Sequence, residues 1–66
     1  MNIRQLKKAI ATKQKQLLKR VISLAYNAHE GYFFSAKQDA SDCAELSEEI
    51  AELVRELENL SKEARK

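Results

Sequence analysis

Sixty-six residues with no proline, one glycine and a third of the side chains charged favour helix throughout. A single cysteine, Cys43, excludes an internal disulfide, and one cysteine beside one histidine, His29, argues against a structural zinc site. A chain this short is below the size at which a lone core is comfortably stable, so oligomerisation, and specifically a homodimer, is what the bulk numbers lead one to expect.

Net charge is only +2, but it is unevenly divided. Residues 1–30 carry seven basic side chains against Glu30, a net of +6, and residues 31–66 carry five basic against nine acidic, a net of −4. Two halves of opposite sign suit a hairpin whose arms attract each other, and they can equally mark a basic arm for nucleic acid.

At the start of the chain, Asn2 with Gln5 three residues on forms the pattern of a capping box that opens a helix at once. Arg4, Lys7 and Lys8 lead into the polar run from Thr12 to Gln16, so no signal peptide is expected. The longest apolar stretches are too short to cross a bilayer. With the lone cysteine, this suggests a soluble protein of a reducing cytoplasm. Ile3, Leu6, Ile10, Leu17, Val21, Leu24 and Ala28 keep a three-or-four spacing on one helix face. Lys13 interrupts this stripe, as a long side chain snorkelling past the apolar edge or as a register-setting polar contact; the first is the simpler reading.

Gly31 is the natural left-handed stop for this helix. Ser35 with Gln38 offers a second capping box, and Asp42 with Glu45 a later one. Taking Gly31 and Ser35 as punctuation predicts a first helix over about 2–30, a turn over about 31–35 and a second helix over about 35–64. Another reading carries the first helix through Gly31 to Phe34 and moves the turn to 35–41. Tyr32, Phe33 and Phe34 fall in the connection, where polar residues are usual. Such a cluster most often folds back to plug a bundle end, and if exposed it marks a partner site.

The strongest pattern is the a/d heptad seam of Cys43, Leu46, Ile50, Leu53, Leu57, Leu60 and Ala64. Paired about the turn, it sets Leu6 against Leu60, Ile10 against Leu57, Leu17 against Ile50, Val21 against Leu46 and Leu24 against Cys43. The expected fold is all-α: one domain forming an antiparallel two-helix hairpin. A further stripe of Ala40, Ala44, Ser47, Ala51 and Val54 lies beside the seam, and Ala11, Leu18, Ile22, Ala25 and His29 form its counterpart on the first helix. One hairpin needs one apolar face per helix. Two predict that hairpins pair into a four-helix bundle through Leu18, Ile22, Ala25, Ala40, Ala44, Ser47, Ala51 and Val54.

Glu45, Glu49, Glu52 and Glu56 form an acidic stripe, read as a solvated face opposite the seam. Arg4, Lys8, Lys15 and Lys19 fall within a narrow arc continued by Tyr26, a face that could grip phosphates and stack on a base. No nucleophile, second carboxylate or glycine-rich loop accompanies His29, and Cys43 sits on the seam. No catalytic residue, cofactor or metal is expected.

From Ala36, Ala40, Cys43, Leu46 and Leu53 to Arg55, the order and spacing resemble the second helix of the Rop family of plasmid copy-number regulators. The resemblance covers about residues 35–55. It implies hairpins that dimerise into four-helix bundles and bind paired RNA loops. In that register Lys8 coincides with an RNA-contacting position, while Lys19, Ser23 and Glu30 stand where the family has phenylalanine, glutamine and lysine. In length and in its basic first helix the chain also looks like the small accessory proteins of lambdoid phage early regions. That likeness implies a regulator in a bacterial host's cytoplasm. The leading expectation is a non-enzymatic regulatory or adaptor protein that meets a protein partner through Tyr32, Phe33 and Phe34. The alternative is a nucleic-acid-binding regulator using Arg4, Lys8, Lys15, Lys19 and Tyr26.

Overall fold

In a computed structural model, which describes residues 1–64 and side-chain surroundings up to residue 63, the chain is two long helices folded back on each other. Helix α1 spans Ile3–Glu30 and helix α2 spans Phe33–Ala64. The pair measures 53 × 14 × 14 Å between Cα atoms, an antiparallel all-α hairpin.

The opening of α1 follows from two residues. The Asn2 side chain accepts the Gln5 backbone N–H at 2.8 Å, and the Asn2 backbone N–H donates to Gln5 Oε1 at 3.0 Å. Two of the helix's unpaired first donors are thereby satisfied, as a capping box requires. The other end closes at Gly31, whose φ of 81° and ψ of 16° are left-handed. Its N–H donates to the Ala28 carbonyl at 3.3 Å, and the Tyr32 N–H reaches the Asn27 carbonyl at 2.8 Å. This is a Schellman closure, and it reverses the chain within two residues.

The connection is therefore shorter than the expected turn over 31–35. Helix α2 begins at Phe33, with the Ala36 N–H bonded to the Tyr32 carbonyl at 2.9 Å. Ser35 and Asp42 lie inside the helix, so neither opens it. Phe33 and Phe34 belong to its first turn. Once the Schellman bonds have satisfied the end of α1, no further linker is needed.

A shorter connection also shifts the pairing. Lys13 meets Glu49, Ser23 meets Asp39 and Arg20 meets Asp42. Each contact lies about one helical turn nearer the connection, along α2, than the expected pairing of Leu17 with Ile50 or Leu24 with Cys43. In the observed register Leu17 is level with Leu46, Ile10 with Leu53 and Leu6 with Leu57.

The seam is also less apolar than the stripe Ile3 to Ala28 suggested. Its heptad continues past Leu17 through Arg20, Leu24 and Asn27, and on α2 it runs back from Cys43 through Asp39 to Ala36. Val21 and Ala28 are exposed, whereas Ser23 and Asn27 are half-buried. Apolar residues fill the seam far from the connection, and polar ones hold it near the connection. Among the described residues Leu6 and Ala36 are the buried hydrophobic ones, and Leu6 alone is completely covered. Full burial of a leucine is worth about 2 kcal/mol, so one hairpin draws on little of its apolar surface.

Candidate interaction surfaces

Near the connection the helices are held by a compact polar cluster. Asp39 is 6% exposed, and one of its carboxylate oxygens accepts from Ser23 Oγ and from Asn27 Nδ2, each at 2.8 Å. Arg20 lies 3.8 Å from the other oxygen and 3.7 Å from Asp42. A buried carboxylate is costly unless donors or opposite charges surround it, and here Ser23 and Asn27 donate hydrogen bonds while Arg20 brings a positive charge near. Sequence reasoning missed this cluster. It followed apolar residues to Val21 and Ala28, when an unbroken heptad from Leu17 lands on Arg20 and Asn27. Farther along, the half-buried Lys13 pairs with Glu49 across the seam. The polar interruption is a cross-helix contact, so the simpler expectation of a lysine merely passing the seam is corrected.

Flanking the seam are two unlike lateral faces. One is a shallow groove lined by Gln16, Lys19, Arg20 and Ser23 of α1 and by Asp42, Glu45, Leu46 and Glu49 of α2. The glutamate stripe borders this groove, and Glu49 is half-buried. Glu45, Glu52 and Glu56 are exposed, as a solvated stripe requires, but the heptad places the stripe at the flank of the seam and not opposite it, and Glu49 is drawn in by Lys13. The other face is apolar. In an antiparallel pair like flanks meet, so the residues on the far side of both helices share it. Leu18, Val21, Ala25 and Ala28 line it from α1, and Ala40, Ala44, Ser47, Ala51 and Val54 from α2. All except the half-buried Ala51 are exposed. Among them Leu18 is 60% exposed and Val54 46%. Ile22, 62% exposed, falls almost opposite the seam, at the outer edge of this face.

The third surface is the connection end. Tyr26, Tyr32, Phe33 and Phe34 are all the aromatic residues of the chain, and every one is exposed, Phe34 at 83%. The expected folding back into a plug does not occur, because the two-residue connection leaves no length to fold over the bundle end. Tyr26 and Tyr32 pack with ring centroids 6.4 Å apart and planes tilted by 51°. Tyr26 therefore belongs to the aromatic end as well as to the line of Arg4, Lys8, Lys15 and Lys19. Those four cations are exposed, and the ion pairs among the described residues use Lys13, Arg20 and Lys62 instead. His29 is also exposed, and Cys43 is a half-buried free thiol on the seam.

No family model matches the chain, and no curated protein or solved structure does either. No helix among the described residues is long and apolar enough to cross a membrane, and among them no three metal-ligating side chains come together.

Proposed function

We propose that this protein is a small non-enzymatic adaptor or regulator that acts through protein–protein contacts, as a homodimer of hairpins whose aromatic end captures a protein partner. The observation that carries the reading is the exposure of all four aromatic residues at one end of a rigid hairpin. Rigid, exposed aromatics bury large area at low entropic cost and dominate the energetics of protein interfaces. The resemblance to lambdoid phage accessory proteins suggests the setting, a phage-encoded regulator in the cytoplasm of a bacterial host.

The test is capture from the native cell by the immobilised protein, with and without nuclease. A nuclease-resistant protein partner that binds the unaltered chain and is lost with Phe34→Ala, at unchanged helicity, supports the proposal. Full capture by Phe34→Ala removes the aromatic end from consideration.

A second reading rests on the four cations Arg4, Lys8, Lys15 and Lys19, exposed and outside the ion pairs above. It is a Rop-like regulator gripping RNA or DNA phosphates along α1, with Tyr26 stacking on a base. Such binding weakens steeply as salt rises. Absence of retention on RNA or DNA at low ionic strength removes this reading.

A further inference from the structure

The apolar lateral face is off-centre along the hairpin. It runs from Ala28 to about Ala11 on α1, and beyond that, towards the chain's first residues, the same face carries Arg4 and Lys7. On α2 it runs from Ala40 to Val54, and then the ion-paired Glu58 and Lys62 occupy it. One half of the face is oily, and the half far from the connection is charged. The total exposed area says how much covering is missing. A compact chain of 7.6 kDa exposes about 4,300 Å², whereas this hairpin exposes 5306 Å². The excess of about 1,000 Å² per chain becomes about 2,000 Å² when two chains share it, the size of a stable protein–protein interface.

From this we infer that a second copy of the chain covers the apolar lateral face with the two connections at the same end of the bundle, so that both aromatic ends form one composite surface. This rests on the homodimer proposed above and adds its face and its direction. With the connections together, α1 of one copy lies along α2 of its partner, level by level. Leu18 and Val21 then sit over the small side chains Ala40, Ala44 and Ser47, so bulk meets room. At the charged half, Arg4 comes level with Glu58, which also pairs with Lys62 of its own helix at 2.9 Å. Lys15 comes level with Glu48 at the edge. Lys7, on the face, and Lys8, at its edge, both come level with Arg55, like-charged contacts that salt screens.

The reversed dimer fares worse. At full overlap it lays Arg4 and Lys7 on the partner's Ala25 and Ala28, stranding charge on apolar surface. If it slides until the oily halves coincide, the charged ends overhang and the buried area shrinks. The same-end arrangement also brings both aromatic ends to one end of the bundle.

Pulsed electron–electron distance measurement tests the direction, with nitroxide labels at Ser35→Cys near the connection and at Asn59→Cys far from it. Each is placed singly in a Cys43→Ala background and checked for dimers by sedimentation. A same-end dimer gives short separations, about 30 Å or less, at both sites. A reversed dimer puts at least one pair beyond about 35 Å, since each residue adds 1.5 Å along the axis; that result overturns the inference and leaves the homodimer standing. A helical monomer showing no coupling at either site removes both. Ala44→Glu on the apolar face, with Glu45→Gln in the opposite groove as control, separates the faces. Loss of dimer in the control alone also overturns the inference.

Discussion

At the scale of single residues, Gly31 matters most to the fold. Its left-handed backbone lets two consecutive N–H groups turn back onto α1, and those bonds make a two-residue connection possible. A Cβ built at this position meets only Phe33 Cζ, at 4.0 Å, so space is not what demands glycine. Backbone conformation is. Gly31→Ala therefore destabilises by about 1 kcal/mol, and Gly31→Asn by less, because asparagine tolerates this region better. Urea unfolding reads this as a lower midpoint at unchanged slope. Both Gly31 and the Asn2–Gln5 box were legible in the sequence because they act within a few residues of chain. Asp39 was not. Its burial depends on Ser23 and Asn27 arriving from the other helix, which no local pattern announces.

At the scale of the elements, the heptad on α2 was plain from Cys43 onward, but the start of that helix was not. Ser35–Gln38 and Asp42–Glu45 carry the spacing of capping boxes, and the Schellman closure made both redundant by starting α2 at Phe33. That shorter connection then shifted the partners of every seam residue by about one turn. Polar contacts hold the resulting register. Lys13 with Glu49, both partly exposed, is an ion pair of the kind worth at most about 1 kcal/mol, and it occupies a seam position that an apolar side chain would fill. Lys13→Leu should raise stability by about 1 kcal/mol, since burying a leucine even partly outweighs so weak a pair. It should also flatten the dependence of the melting temperature on salt. A loss of stability in thermal unfolding would show that the ion pair contributes more than its exposure allows.

At the scale of the whole molecule, the hairpin is long, thin and poorly covered. Leu6 is its only completely buried side chain among the described residues, while Leu18, Ile22 and Val54 stay exposed outside the seam. The second stripes of apolar residues were legible as 3.6-residue periodicity. That the stripes of the two helices lie on one flank of the hairpin became legible only with the antiparallel register, because that register decides which flanks of the two helices meet. We propose that the hairpin, with one apolar flank, one polar groove and an aromatic tip, is covered on the first by a second copy and read at the last by a partner. Covering the apolar flank with a second copy would leave the aromatic tip free for a protein partner.

The most direct test of that picture is equilibrium sedimentation of the unaltered protein across a dilution series, with helicity followed on the same samples. The account predicts a dimer mass at tens of micromolar, and helicity that falls together with the mass as the dimer is diluted. A fully helical protomer that stays monomeric at every concentration would contradict it, because the bare apolar flank would then need no partner.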